Sequence, residues 1–165
     1  MSNNIPSEYL ERGLLAALKS VVDSYPEKIA LVDVAEELSY RQFWMRVTQI
    51  AKVLQSFGIK AGDRVVFWLP NSVNFVSLHF AILRLSALSV PLDPTSPMSS
   101  RISVAAISKP SLIIFQGTIA DDSDLDRYER LSLDDVLEAT VIPCDEQLPS
   151  VDVDAAICLS SVMFT

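Results

Sequence analysis

Residues 58–72 read GIKAGDRVVFWLPNS, and they hold a helix stop, a turn, a strand and a helix start in succession. Gly58 ends an amphipathic run, where a helix closing on a left-handed residue places glycine, and Ile59 supplies the apolar contact that accompanies such an end. Residues 60–63 make the turn. Residues 64–69 (RVVFWL) are short, apolar, β-branched and aromatic, the pattern of a strand buried on both faces. Pro70 ends that strand, and Asn71 or Ser72 can cap the helix that follows. A buried strand entered from one helix and left through another belongs to a parallel sheet.

The same alternation extends in both directions. Upstream, Ser39 and Gln42 have the spacing of a capping box, and Phe43, Val47, Ile50, Ala51, Leu54 and Phe57 form the buried face of the helix they open. A strand is expected at residues 29–32, followed by an exposed turn over residues 33–37. Before it, a helix is expected over residues 8–24, with Leu10, Leu14, Leu15, Leu18, Val21 and Val22 as its apolar stripe and Pro26 as its stop. Downstream, residues 73–85 are apolar almost all round, the mark of a deeply packed helix. Residues 87–92 read as a strand. Ser96 before Pro97 reads as a cap followed by proline at the first helical position, opening a helix that ends near residues 109–110. Residues 111–115 (SLIIF) form another buried strand, residues 116–130 a polar stretch, and residues 132–138 a short helix, where Ser132 and Asp135 repeat the capping-box spacing. Short strands are expected at residues 140–143 and 155–159, and residues 162–164 extend or follow the last.

The fold class expected is α/β, a doubly wound and mainly parallel sheet with helices on both faces. Residues 1–8 are expected to be a flexible tail, and residues 9–165 a single domain. In such a sheet, ligands approach the carboxyl ends of the strands.

Composition narrows the function classes. Of the 165 residues half are apolar and about a fifth charged, which suits a folded protein. Arg64, Arg84 and Asp93 interrupt the richest apolar stretches, so nothing approaches the roughly 20 residues that span a bilayer. The opening MSNNIPSEYLERG has neither a basic start nor an apolar run, and a cytoplasmic location is expected. The net charge is −8, and residues 121–154 carry 12 acidic residues against Arg127 and Arg130. No basic face gathers, so neither nucleic acid nor an anionic membrane is an expected partner. Cys144 and Cys158 match no metal or redox spacing and read as reduced thiols, with Cys158 in a buried strand.

Four stretches, in order, resemble the adenylate-forming ligases, the superfamily of acyl-CoA synthetases, luciferases and adenylation domains of nonribosomal peptide synthetases. PEKIALV (residues 26–32) resembles its opening strand and LSYRQF (residues 38–43) its first core motif. The segment quoted at the outset resembles the following turn, strand and Pro-Asn-Ser, and LRLSALSVPLDP (residues 83–94) resembles the second core motif. Ser86 departs from the pattern, standing where the family has glycine at a helix end; serine disfavours the left-handed backbone that such a position takes.

The resemblance implies a parent that joins a carboxylate to AMP and releases pyrophosphate, with ATP and Mg as its expected cofactors and a thiol as frequent acceptor. It also implies a Ser-, Thr- and Gly-rich loop after a later strand, whose backbone N–H groups hold the phosphates. The sequence ends at SSVMFT. In one register, residues 162–165 immediately precede that loop, and Thr165 stands at its edge as the single candidate cofactor-binding residue. In the other, Ser160 and Ser161 begin the loop and Val162 replaces a glycine. The first is favoured, because the apolar run continues to Phe164 as a strand should. The fragment is therefore expected to bind no cofactor, to have no catalytic or metal-binding residue, and to be inactive alone. The alternatives are a non-catalytic module that docks on a partner chain, or on the remainder of a ligase, and an unrelated flavodoxin-like nucleotide binder. The latter lacks a glycine-rich loop after any strand.

The remaining candidates have structural readings. His79, the only histidine, lies in an apolar helix with no Cys, Ser or Asp evidently placed beside it, and reads as a packed residue. Trp44 and Trp68 read as core or boundary aromatics. The adjacent acids Asp121–Asp122 and Asp134–Asp135 point in different directions and read as solvated.

Overall fold

The structure, a computed structural model, describes residues 13–117 and 123–140. Helix α1 (Gly13–Ser24) leads into the hairpin β1 (Ile29–Val32) and β2 (Glu37–Ser39), then α2 (Tyr40–Ser56). The alternating part follows as β3 (Arg64–Trp68), α3 (Val73–Arg84), β4 (Leu88–Pro91), α4 (Met98–Ser108) and β5 (Leu112–Phe115). A 3-10 turn (Ser123–Leu125), β6 (Arg130–Ser132) and α5 (Leu133–Ala139) complete it.

The four later strands form one sheet in the order β4-β3-β5-β6, with every pairing parallel. Strand β3 alternates as buried strands must: Val65 and Phe67 face one side, Val66 and Trp68 the other. On the first side α2, α3 and α5 supply Val47, Ile50, Leu54, Leu78, Ile82 and Val136 to a core shared with Leu112 and Ile114. On the second, α4 and the 3-10 turn bring Ala105 and Leu125 against Val66, Val90 and Ile113. Both faces are covered, and the doubly wound α/β expectation holds.

Local devices account for the helix boundaries. Ser39 Oγ accepts from the Gln42 N–H, and Gln42 Oε1 accepts from the Ser39 N–H at 2.8 Å. Ser132 and Asp135 form the second such box. At the end of α2 the Gly58 N–H donates to the Gln55 carbonyl and the Ile59 N–H to the Leu54 carbonyl, with Gly58 at φ +81°. The same pair of bonds closes α3, but with Ser86 at φ +55° in the glycine position. At the amino ends of the strands, Asp63 accepts from the Ser111 hydroxyl and the Lys60 N–H through its carboxylate, and from the Leu88 N–H through its carbonyl. One residue thereby ties β3, β4 and β5 together.

Several expectations are corrected. Residues 33–37 are not only a turn: Glu37 begins β2, antiparallel to β1, so the fold has a separate two-stranded sheet. The stretch over residues 116–130 contains the 3-10 turn and the start of β6. Pro97, not Ser96, is the N-cap of α4; its ψ of 143° is non-helical, so helical geometry begins at Met98. Leu14 and Phe57 lie outside the buried faces assigned to them, at 50% and 39% exposure. Leu10, both cysteines, Asp121–Asp122, Thr165 and the strands expected beyond Thr140 lie outside the described residues.

Candidate functional site

The carboxyl edge of the parallel sheet is where this architecture places ligands. Strands β3 and β5 are neighbours there, with Trp68 opposite Phe115. The helix after β3 covers one face of the sheet and the turn after β5 the other, which makes their junction the switch point. It is closed by protein side chains. The Trp68 and Phe115 rings stack with centroids 6.4 Å apart, and the Arg101 guanidinium lies 5.5 Å from the Trp68 ring. Trp68 is buried.

Helix N-termini at this edge would ordinarily offer N–H groups to an anion. Two of the three carry side-chain caps. At α3, the Ser72 hydroxyl accepts from the Phe75 N–H, and Asp33, reaching over from the hairpin, accepts from the Val73 N–H at 2.8 Å. At α4, the N-cap Pro97 makes no side-chain cap bond, so no side chain fills this helix start. At α5, Asp135 and Ser132 satisfy each other, and Asp134 adds another negative charge in the first turn.

Asp33 is the best-connected polar group near this edge. Its other carboxylate oxygen accepts from the Ala35 and Glu36 N–H groups. The bond from Val73, then those from Ala35 and Glu36, hold its carboxyl below the ordinary aspartate range. Glu36 in turn pairs in two-pronged fashion with Arg46, whose guanidinium also reaches Asn74 at 3.4 Å. This network clamps the hairpin turn onto α2 and α3. Beside it lies a cleft of about 230 Å³ lined chiefly by Leu31, Val32, Val73 and Val76, with Asn71 among its polar residues.

His79 accepts a packed role, with one partner not expected. Its Nδ1 lies 2.7 Å from the hydroxyl of Ser89, a buried residue of β4. Burial lowers the imidazole pKa below its ordinary value. Ser89 is fully inaccessible, so the pair is not a nucleophile and its base. Arg84 lies 4.6 Å from the Trp44 ring, and burial lowers its pKa; its Nε and Nη1 are enclosed without hydrogen-bond partners. Asp134 and Asp135 are exposed, as expected. Among the described residues no group of three His, Cys, Asp or Glu could hold a metal ion.

The family model described as AMP-binding enzyme matches residues 18–159. The chain belongs to this family. A prolyl ligase of Pseudomonas fluorescens, L-proline--[L-prolyl-carrier protein] ligase, is 34% identical over 90 residues, 54% of this chain and 18% of that protein. Syringomycin synthase SyrB1 of Pseudomonas syringae is 34% identical over 118 residues, 72% of this chain and 19% of its own length. AMP-binding family members thus extend well past the matched part: the chain spans under a fifth of either relative.

Solved structures carry the same fold. The N-terminal subdomain of Klebsiella oxytoca NpsA, in complex with 3-hydroxyanthranilyl-AMSN, superposes with a TM-score of 0.74 at 17% identity, covering 91% of this chain and 38% of that one. The o-succinylbenzoate CoA synthetase of Bacillus subtilis, solved with ATP and magnesium, gives 0.70 at 16% identity, covering 80% and 35%. The chain has the N-terminal subdomain architecture of the adenylate-forming fold. Among the described residues, no helix is long and apolar enough to cross a membrane.

Proposed function

We propose that this chain is the N-terminal scaffold of an ATP-dependent, carboxylate-activating ligase, inactive by itself. One observation supports the reading: the family match runs over residues 18–159, and at the carboxyl edge of the described sheet the helices α3 and α5 are capped by the protein's own side chains. A triphosphate needs several converging N–H donors and cations. ATP and Mg belong to the complete enzyme. Thr165, at the edge of the expected phosphate loop, is the one residue of this sequence assigned to them.

The curated relatives include a carrier-protein ligase and hybrid PKS-NRPS synthetases, which favours an amino or other small carboxylic acid as substrate and a carrier-bound thiol as acceptor. The cytoplasm is the proposed location, supported by two isolated cysteines in no disulfide pattern. A second reading is favoured by the exposed apolar side chains on the hairpin, Ile29, Val32 and Val34: a non-catalytic module that works by docking on another chain.

Carboxylate-dependent exchange of radiolabelled pyrophosphate into ATP tests the first reading. The purified chain gives background exchange with any amino or aryl acid supplied. Turnover well above background rejects it.

A further inference from the structure

The amino ends of β3 and β5 gather positive charge. Lys60 lies in the turn that enters β3, Arg64 is the first residue of that strand, and Lys109 stands between α4 and β5. All three are exposed, and none forms an ion pair with another described residue. The sheet holds them close, because the Ser111 N–H donates to the Arg64 carbonyl at 2.8 Å and Lys109 is two residues before Ser111. Asp63, the acid among them, spends its carboxylate on the Lys60 N–H and the Ser111 hydroxyl. Its charge offsets one of the three cations. Two further exposed acids, Glu129 and Glu138, belong to the entry of β6 and to α5, on the other side of β5.

The described chain runs out toward this edge. Helix α5 follows a parallel strand, and Leu133 and Val136 pack it onto the face it shares with α2 and α3. It returns alongside β6, and its seven residues rise about 10 Å, roughly the span of that three-residue strand. Thr140 therefore ends near the level of the strand starts. Beyond it, residues 144–154 read CDEQLPSVDVD, and the acids Asp145, Glu146, Asp152 and Asp154 are the only charged residues after Thr140. In the order β3-β5-β6, Lys109 and Arg64 lie one and two strand spacings from β6, about 5 and 10 Å. Five extended residues from Thr140 to Asp145 reach up to about 17 Å, which spans both distances.

We infer that the acidic segment 144–154 docks along the amino edge of the sheet, with Asp145 and Glu146 against Lys109 and Arg64. Charge complementarity and the place where the described chain leaves α5 select this occupant. Exposed ion pairs are individually weak and screened by salt, so the contact depends on several charges acting together. The inference stands apart from the ligase reading and survives its failure.

Zero-length carbodiimide coupling of the full 165-residue chain, followed by peptide mass spectrometry, tests it. Lys60 and Lys109 are expected to couple to acids of residues 144–154 at least fivefold more often than Lys28, an exposed lysine before the hairpin. Raising the salt to 0.5 M, about a fourfold shorter reach for charge than at 0.03 M, is expected to reduce that yield at least threefold in the native sequence. Arg64→Glu is expected to reduce it similarly at low salt, while Arg64→Lys preserves it; the salt series decides the matter should Arg64→Glu not fold. Yields from Lys60 and Lys109 equal to those from Lys28, or unchanged by salt, overturn the inference. Mixed isotopically light and heavy chains that couple to each other, rather than within one chain, overturn it too.

Discussion

The Asp33 carboxylate accepts the backbone N–H of Val73 at 2.8 Å, across 40 residues of chain, and so caps helix α3 from the hairpin. Two further N–H groups, from Ala35 and Glu36, converge on the same side chain. All three bonds favour the charged form, which is why its pKa is held below the ordinary value of 3.8. A carboxylate with a depressed folded pKa stabilises the fold above its unfolded value, and that contribution is lost as pH falls through the folded one. Melting temperatures measured from pH 6 to pH 2 are expected to fall below about pH 4 in the native protein. Asp33→Asn is expected to be less stable at pH 6 and to lose less on acidification. Parallel profiles for the two proteins would remove Asp33 from this role.

Ser86 supplies a second expectation. It closes α3 in a left-handed conformation, φ +55°, that costs an L-residue about 1 kcal/mol relative to glycine. Ser86→Gly regains most of that, less the entropy glycine adds to the unfolded chain. The net gain expected is about 0.5 kcal/mol, or a rise of one to two degrees in melting temperature, read by calorimetry.

The sign for His79 runs the same way as for Asp33, for a different reason. Burial disfavours its cation, so its folded pKa lies below the ordinary 6.5. Between the two values the unfolded chain binds more protons, and stability falls as pH drops from about 6.5 toward the folded pKa. Nuclear magnetic resonance titration of the imidazole is expected to show the depressed pKa directly. His79→Gln is expected to flatten the stability profile in that window, while Ser89→Ala, which removes the 2.7 Å partner, shifts the titration.

Core and surface substitutions separate the two apolar populations. Leu78 is fully buried between α2, α3 and the sheet, and Leu78→Ala is expected to cost about 2–5 kcal/mol in denaturant unfolding. Val34 is fully exposed, and Val34→Ala is expected to stay within about 0.5 kcal/mol.

What the sequence discloses and what it hides follow from the range of the interactions. Ser39 with Gln42, Ser132 with Asp135, and Gly58 with Ile59 are contacts between near neighbours, and spacing alone reveals them. The buried strands β3 and β5 announce themselves through unbroken β-branched and aromatic runs. Strands β2 and β6 have three residues each, fewer than two periods of any pattern, and they exist because β1 and β5 lie beside them. The Asp33–Val73 and His79–Ser89 contacts join separate elements, so no local signal marks them. Asp33 could have been suspected from its neighbours in a tight turn, but not its reach to α3. The one residue assigned to the phosphate loop, Thr165, lies outside the described residues, so its role rests on the motif resemblance.

Calorimetric titration of the purified chain with MgATP bears most directly on the proposal that this chain by itself does not hold a triphosphate. The expected result is no saturable heat up to millimolar nucleotide, and no change in the phosphorus resonances of ATP. A saturable isotherm, with the β- and γ-phosphate signals shifted on binding, would contradict it.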